Sequence, residues 1–365
     1  MSRTGDNSPS RRQFFGDAAR VASAAGAVQS ALAQSGTNAT VRRAIIDTDP
    51  GVDDALAIFL ALRSPELKVE ALTPVAGNVP LELTLPNALR LVEIAGRTDI
   101  PVAAGAKQPL KRQLVTATYA HGENGLGGVQ FPEPTTRPVA ESAPELIRRM
   151  VRQSPSQIHL IALGPLTNLA LAFLSDPGLP RLIPSLTLMG GSLSGGNVSP
   201  AAEFNIYVDP EAAQIVFRAG IPTTMVGLDV TRKATLREED IQALESGGNP
   251  ISRAAGKITR ATMTRMRQSP AYTGAGPAMH DSLAVATFLD PSVVKLQDYY
   301  VEVETAGEYT AGETLGYRRT PMRKSPPMQS AEAKPYDAAF RPNAKVAMEV
   351  DRGRFVQMLV GRLSR

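Results

Sequence analysis

Residues 45–62 read Ile-Ile-Asp-Thr-Asp-Pro-Gly-Val-Asp-Asp-Ala-Leu-Ala-Ile-Phe-Leu-Ala-Leu. Four carboxylates, Asp47, Asp49, Asp53 and Asp54, fall within eight residues between two apolar runs. The first run is short and β-branched, which suits a buried strand. The second, Ala55 to Leu62, carries no charge and suits a buried helix. Pro50-Gly51 supplies the tight turn between them. Asp53 and Asp54 in the first helical turn are partly explained by compensation of the helix dipole, worth about 0.3–1 kcal/mol each. That does not account for four mutually repelling carboxylates beside an uncharged helix. The cluster therefore points to a cation held at a strand end, and an oxygen-only donor set favours calcium or magnesium over zinc.

The strand–turn–helix pattern repeats along the chain. Strands are expected over 43–48, 69–76, 158–163, 185–190 and 223–228, and helices over 52–63, 82–96, 143–153, 165–175 and 209–219. Strands separated by helices of this length imply βαβ units. The expected fold is a single Rossmann-like α/β domain over residues 42–365, with a mostly parallel central sheet flanked by helices. Its ligand site then lies at the C-terminal ends of the strands. Other strand ends carry small residues that let a backbone approach a ligand, as in Val75-Ala76-Gly77-Asn78, Leu163-Gly164-Pro165 and Met189-Gly190-Gly191. The Gly-Gly pair lacks the Lys-Ser/Thr of a phosphate loop. Residues 119–128 form a Gly-rich loop, and residues 315–342 mix Pro, Arg, Lys and Ser as an irregular insertion.

The N-terminus reads as a targeting segment. Ser10-Arg11-Arg12-Gln13-Phe14 resembles the twin-arginine export signal, an Ala-rich run follows, and Ala31-Leu32-Ala33 fits a cleavage site. Residues 1–33 are thus expected to be a signal peptide and 34–41 a linker, with the mature protein periplasmic or secreted. No segment offers an uncharged span adequate for stable membrane insertion. The four arginines and two aspartates of residues 1–33 contribute +2, which leaves +2 of the net +4 for the remainder, too little to argue for nucleic acid. The 365 residues, 43% apolar, suffice for a large core, and the absence of cysteine excludes thiolate chemistry.

Two further groups of residues stand out. Met279-His280-Asp281 opens an apolar helix running to Leu289. Asn197 precedes Glu203-Phe204-Asn205, after which Asp209-Pro210 reads as a helix cap and first turn. Of the three histidines, His159 lies in an apolar strand and reads as structural, whereas His121 lies in the Gly-rich loop, where a catalytic, substrate-binding or merely exposed role is open.

In this order, these groups resemble the nucleoside hydrolases of the inosine-uridine preferring type. The string Asp47-Thr-Asp49-Pro-Gly-Val-Asp53-Asp54 matches that family's fingerprint, and the matching motifs extend over roughly residues 42–363. The resemblance implies calcium-dependent hydrolysis of the N-glycosidic bond of a ribonucleoside. It implies that Asp49, Asp54, Asp281 and the Leu163 backbone carbonyl bind Ca2+, and that Asp49 is also the base for a water. Asp53 and Asn78 would hold the ribose diol; Asn197, Glu203 and Asn205 would hold the rest of the sugar. His121, Met189 and Phe204 would contact substrate, His280 would protonate the leaving base, and Asp47 would support the cluster. A homodimer or homotetramer is implied; passage of this chain through the twin-arginine export machinery rests on the N-terminal motif instead. Tyr272 is the one aromatic between residues 253 and 278, the stretch expected to face the base.

Two other readings compete. A phosphatase using Asp47 as nucleophile would need a later Lys and acidic pair, and Asp53-Asp54 arrives too soon. A non-catalytic periplasmic nucleoside- or ribose-binding protein would not need a water-activating base such as Asp49.

Overall fold

The computed structural model describes Met1 and residues 41–270, 272–318 and 341–365. The expected signal peptide, nearly all of the linker, and residues 319–340 of the expected insertion lie outside the described residues.

In chain order the elements are β1 (Arg42–Thr48), α1 (Val52–Leu62), β2 (Leu67–Pro74), α2 (Leu81–Ile94), the single-turn α3 (Thr118–His121), α4 (Ala143–Gln153), β3 (Ile158–Ala162), α5 (Thr167–Ser175) and β4 (Leu186–Met189). There follow α6 (Phe204–Val208), α7 (Pro210–Phe217), β5 (Thr223–Val226), α8 (Leu228–Thr231), α9 (Glu238–Glu245), α10 (Pro250–Gln268) and α11 (His280–Leu289). The chain closes with β6 (Val294–Val303), β7 (Thr314–Tyr317), β8 (Ala344–Val350) and α12 (Arg352–Leu363).

The strands form one eight-stranded sheet in the order β2-β1-β3-β4-β5-β8-β6-β7. From β2 to β8 all neighbours are parallel. β6 runs antiparallel to both β8 and β7. All five expected strands and all five expected helices are present, each with ends within two residues of those read from the sequence. The antiparallel edge and the long α10 were not anticipated. β6 buries few of its side chains and does not alternate cleanly. The stretch read as an irregular insertion begins with strand β7.

Alternation along β1 explains why it is central. Ala44 and Ile46 face one core, with Leu56, Phe59, Leu283 and Phe355, whereas Ile45 faces the other, with Leu146, Ile147, Leu169 and Val216. Helices thus cover both faces, as parallel strands require. Strand order reverses at β1, between β2 and β3, and in open α/β sheets such a switch point opens a crevice beyond the carboxyl ends of the strands. α1 starts at that crevice, packs against α11, and is buried from Val52 to Ala61. Helix α11 also starts at the site, with His280 and Asp281 in its first turn. The site is thus built where two buried helices begin.

Phe59 lies wholly within this helix packing. Phe59→Ala is expected to destabilise the protein by about 3–5 kcal/mol. Denaturant unfolding should show a lower midpoint with little change in slope.

Candidate active site

The turn after β1 is anchored by Asp54. Its Oδ1 accepts from the Thr48 hydroxyl at 2.5 Å and the Asp49 N–H at 3.3 Å. Its Oδ2 accepts from the Gly51 N–H at 2.9 Å and Asn78 Nδ2 at 3.0 Å. One carboxylate therefore stitches the β1 turn, the first turn of α1 and the end of β2 together. Asp49 Oδ2 accepts from the Asn78 N–H at 2.7 Å. Its Oδ1 is buried with no hydrogen-bond partner among the described residues. The Asp49 carboxylate fits there because Gly77 and Gly164 flank it: a Cβ would stand 2.1 Å from Oδ2 at Gly77 and 2.5 Å from Oδ1 at Gly164.

Asp53, Asp54 and Asp281 each offer an oxygen, and the three atoms lie within 4.8 Å of one another. All three residues are buried. Asp53, which the resemblance gave to the ribose, thus stands with Asp54 and Asp281. Asp49 is drawn aside toward the Asn78 amide. A buried carboxylate trio with an unpartnered carboxylate oxygen nearby fits a hard divalent cation, which prefers several oxygen donors in a flexible arrangement. The Leu163 carbonyl accepts from Asn205 Nδ2 at 2.8 Å. It also lines the adjoining cavity.

That cavity gathers the other expected residues. Asp53, Asn78, His121, Leu163, Met189, Asn197, Glu203, Phe204, Asn205, His280 and Asp281 all border it. Glu203 caps α6: Oε1 accepts from the Asn205 N–H at 3.0 Å, and Oε2 from Gly191 N–H at 2.9 Å and Ile206 N–H at 3.2 Å. Asn197 Oδ1 accepts from the Phe204 N–H at 2.9 Å. These two side chains shape the loop before α6 as well as bordering the cavity. Asp47 points into the fold, where Oδ2 accepts from Thr73 at 2.7 Å and Asn168 at 2.8 Å.

The histidines divide as their positions suggested. His159 Nδ1 lies 2.7 Å from Ser185 Oγ and its ring meets Phe288 edge-on, a packed structural residue. His121 Nδ1 accepts from the Val52 N–H at 3.1 Å, an amide at the start of α1 that no intrahelical carbonyl can satisfy. His280 Nδ1 lies 2.7 Å from Thr231 Oγ1. Tyr272 does not border the cavity; its hydroxyl lies 3.8 Å from Met263 Sδ. The aromatic at the rim is Tyr119 of α3, 70% exposed. Arg265 of α10 holds this loop through the carbonyls of Ala120 and Gly127.

Burial dominates the electrostatics. It raises Asp281 and Asp49 well above the ordinary carboxylate range, with repulsion from neighbouring aspartates adding to it. Burial takes Asp54 to about 6, Asp47 to about 7 and Glu203 to about 7. It lowers both His280 and His121, each opposed by the charge of Asp53. Sequence reasoning had assigned no role to Tyr119, Thr231, Thr73 or Asn168. Tyr119 lay in the Gly-rich loop already noted, Asn168 follows the Leu163-Gly164-Pro165 strand end, and Thr231 closes the stretch Gly227-Leu-Asp-Val-Thr.

A family model described as inosine-uridine preferring nucleoside hydrolase matches residues 44–357. The pyrimidine-specific ribonucleoside hydrolase RihA of Citrobacter koseri is 42% identical over 325 residues, covering 88% of this chain and 97% of that protein. The protein of the same description from Salmonella typhimurium is 42% identical over 323 residues, covering 87% and 97%. Among solved structures, the plant nucleoside hydrolase PpNRh1 is similar with a TM-score of 0.81 and 36% identity, covering 89% of this chain and 99% of its own. A purine-preferring ribonucleoside hydrolase from Gardnerella vaginalis follows at 0.79 and 31%, covering 88% and 98%.

The raised carboxylates fix a pH dependence. With Asp47 and Glu203 at about 7 and Asp54 at about 6, the metal-free fold holds protons that the unfolded chain, with values near ~4, has released. The stability these three groups contribute is therefore fully present at low pH and is lost as pH rises through the folded values. Thermal melts of chelator-treated protein should show a Tm that falls between pH 5 and pH 8. Added calcium should raise Tm more at pH 8 than at pH 5. A metal-free Tm that climbs over this window would contradict the assignment.

Proposed function

The chain belongs to the inosine-uridine preferring nucleoside hydrolase family and is a ribonucleoside hydrolase; within that family, we propose that it cleaves pyrimidine ribonucleosides in a calcium-dependent reaction. One observation carries the chemical part. A cavity at the sheet's switch point brings Asp53 and Asn78, a buried carboxylate group and an imidazole together from segments far apart in sequence. The pyrimidine preference is supported by relatives described as pyrimidine-specific, which match this chain over nearly their whole length.

Asp54, Asp281, Asp49 and the Leu163 carbonyl would hold the ion, with Asp53 close enough to share it. A bound calcium supplies Lewis acidity, which orients sugar hydroxyls and makes a nearby water more acidic. The side chains do the rest. Asp53 and Asn78 grip the 2′- and 3′-hydroxyls, and Asn205, with Asn197 and Glu203 behind it, fixes the remainder of the ribose. Phe204 and Met189 exclude bulk water from the sugar. Asp49 takes a proton from water as its oxygen attacks C1′. The C1′–N bond breaks with its electron pair going to the base, through an oxocarbenium-like state that surrounding carboxylates stabilise. His280 protonates the departing base when its ring is charged, or hydrogen-bonds to it from Nε2–H when the ring is neutral, and His121 lies across the same cavity to contact it.

Export by the twin-arginine route into the periplasm, suggested by Ser10-Arg11-Arg12-Gln13-Phe14, and assembly as a homodimer or homotetramer belong to the same proposal. None of the described helices is long and apolar enough to cross a membrane.

A reducing-sugar assay with calcium should release ribose from uridine and cytidine faster than from inosine, adenosine or guanosine. No sugar from any of the five would remove the nucleoside reading, and faster release from inosine would overturn the pyrimidine preference. Asp49→Asn should lower kcat by about 100-fold or more, with the fold unchanged by circular dichroism. Replacing Arg11 and Arg12 together by lysine should leave the enzyme in the cytoplasmic fraction.

A further inference from the structure

We propose that Thr231 is a positioning residue: its hydroxyl donates to His280 Nδ1 and so fixes the His280 proton on Nε2, the nitrogen left to face the base. The proposal rests on the reading of His280 as the group that offers an N–H to the leaving base.

The geometry is specific. Thr231 ends α8, is fully buried, and places Oγ1 2.7 Å from His280 Nδ1. Distance alone does not say which atom donates, because either tautomer of the ring is compatible with it. The hydroxyl's other options decide the direction. Buried helical threonines elsewhere in this protein donate to the carbonyl four residues back, Thr259 to Ala255 at 2.7 Å and Thr262 to Ile258 at 2.9 Å. The Thr231 hydroxyl has no such bond; among the described residues its one partner is His280 Nδ1. A buried hydroxyl proton with no acceptor is costly. The proton therefore goes to Nδ1, and a neutral ring must carry its own proton on Nε2.

The same tautomer is imposed on His121 by a group that can only donate, the Val52 backbone N–H. Both cavity histidines thus present Nε2–H from a neutral ring. A neutral imidazole in the other tautomer would offer the base a lone pair and no N–H to hydrogen-bond the charge gathering on it as the C1′–N bond breaks. The signal in the sequence is the Thr at the end of Gly227-Leu-Asp-Val-Thr, 49 residues before the histidine it holds.

The test is nitrogen-15 NMR of full-length, calcium-loaded protein with labelled histidine, at a pH where the ring is neutral. The chain has three histidines, and the His280 signals are assigned by their loss in His280→Gln. The expected spectrum has a pyridine-type Nδ1 and a pyrrole-type Nε2 in the native protein. In Thr231→Val the two nitrogens should shift toward a mixture of tautomers, and Thr231→Ser should restore the native pattern. In parallel, Thr231→Val should lower kcat on uridine about tenfold or more with little change in KM. The loss should be smaller on p-nitrophenyl riboside, whose leaving group needs no proton. A pyrrole-type Nδ1 in the native protein overturns the proposal. So does a Thr231→Val enzyme with native kcat on uridine while His280→Ala is impaired. Native kcat in His280→Ala would instead overturn the acid reading, and the NMR pattern would still decide the tautomer.

Discussion

Mutual repulsion among buried carboxylates is the constraint around which this structure is arranged. Asp53, Asp54 and Asp281 are all buried and hold oxygens within 4.8 Å of one another. At that separation two unit charges repel by roughly 3.5 kcal/mol even at an effective dielectric near 20. Such a group persists when protons or a cation offset the charge. The chain arranges for either. Backbone and side-chain donors from Thr48, Asp49, Gly51 and Asn78 converge on Asp54. Among the described residues, one oxygen of Asp49 is left without any donor. A site that is strained without its ion and relaxed with it couples cation binding to the stability of the domain.

The sheet topology makes this group possible. The strand order reverses at β1, so the turn after β1 opens into a crevice bordered by the ends of β2, β3 and β4. Asn78 follows β2, Leu163 follows β3, and Met189 ends β4. α1 and α11 both begin at this rim, so Asp53, Asp54, His280 and Asp281 sit in first helical turns, where unsatisfied N–H groups favour negative charge. The apolar length of both helices is buried behind them, so the acidic ends are held in place by the core. Fold stability and site geometry therefore share the same residues.

Much of this was legible in the sequence because the signals were local and dense. The string from Asp47 to Asp54 contains its own strand end, turn and helix start, and five βα alternations followed with ends within two residues of those observed. What escaped was set by tertiary packing. β6 leaves five of its ten side chains half-buried, so no clean alternation marks it. Tyr119 reaches the rim through the placement of its loop by Arg265, a contact spanning 145 residues. Thr231 sits in a helix of four residues and acquires its partner only when α8 and α11 meet. The division among the aspartates was also invisible, since Asn78 and Gly77 decide where Asp49 turns.

The central claim is that the buried aspartates form one calcium site that the proposed hydrolysis depends on. Isothermal titration of calcium into chelator-treated protein tests it most directly, with the native chain set beside Asp281→Asn. The account predicts one saturable site per chain in the native protein and at least a tenfold weaker one in Asp281→Asn, following the loss of a carboxylate ligand. Absence of any saturable binding, or equal affinity in the two proteins, would contradict it.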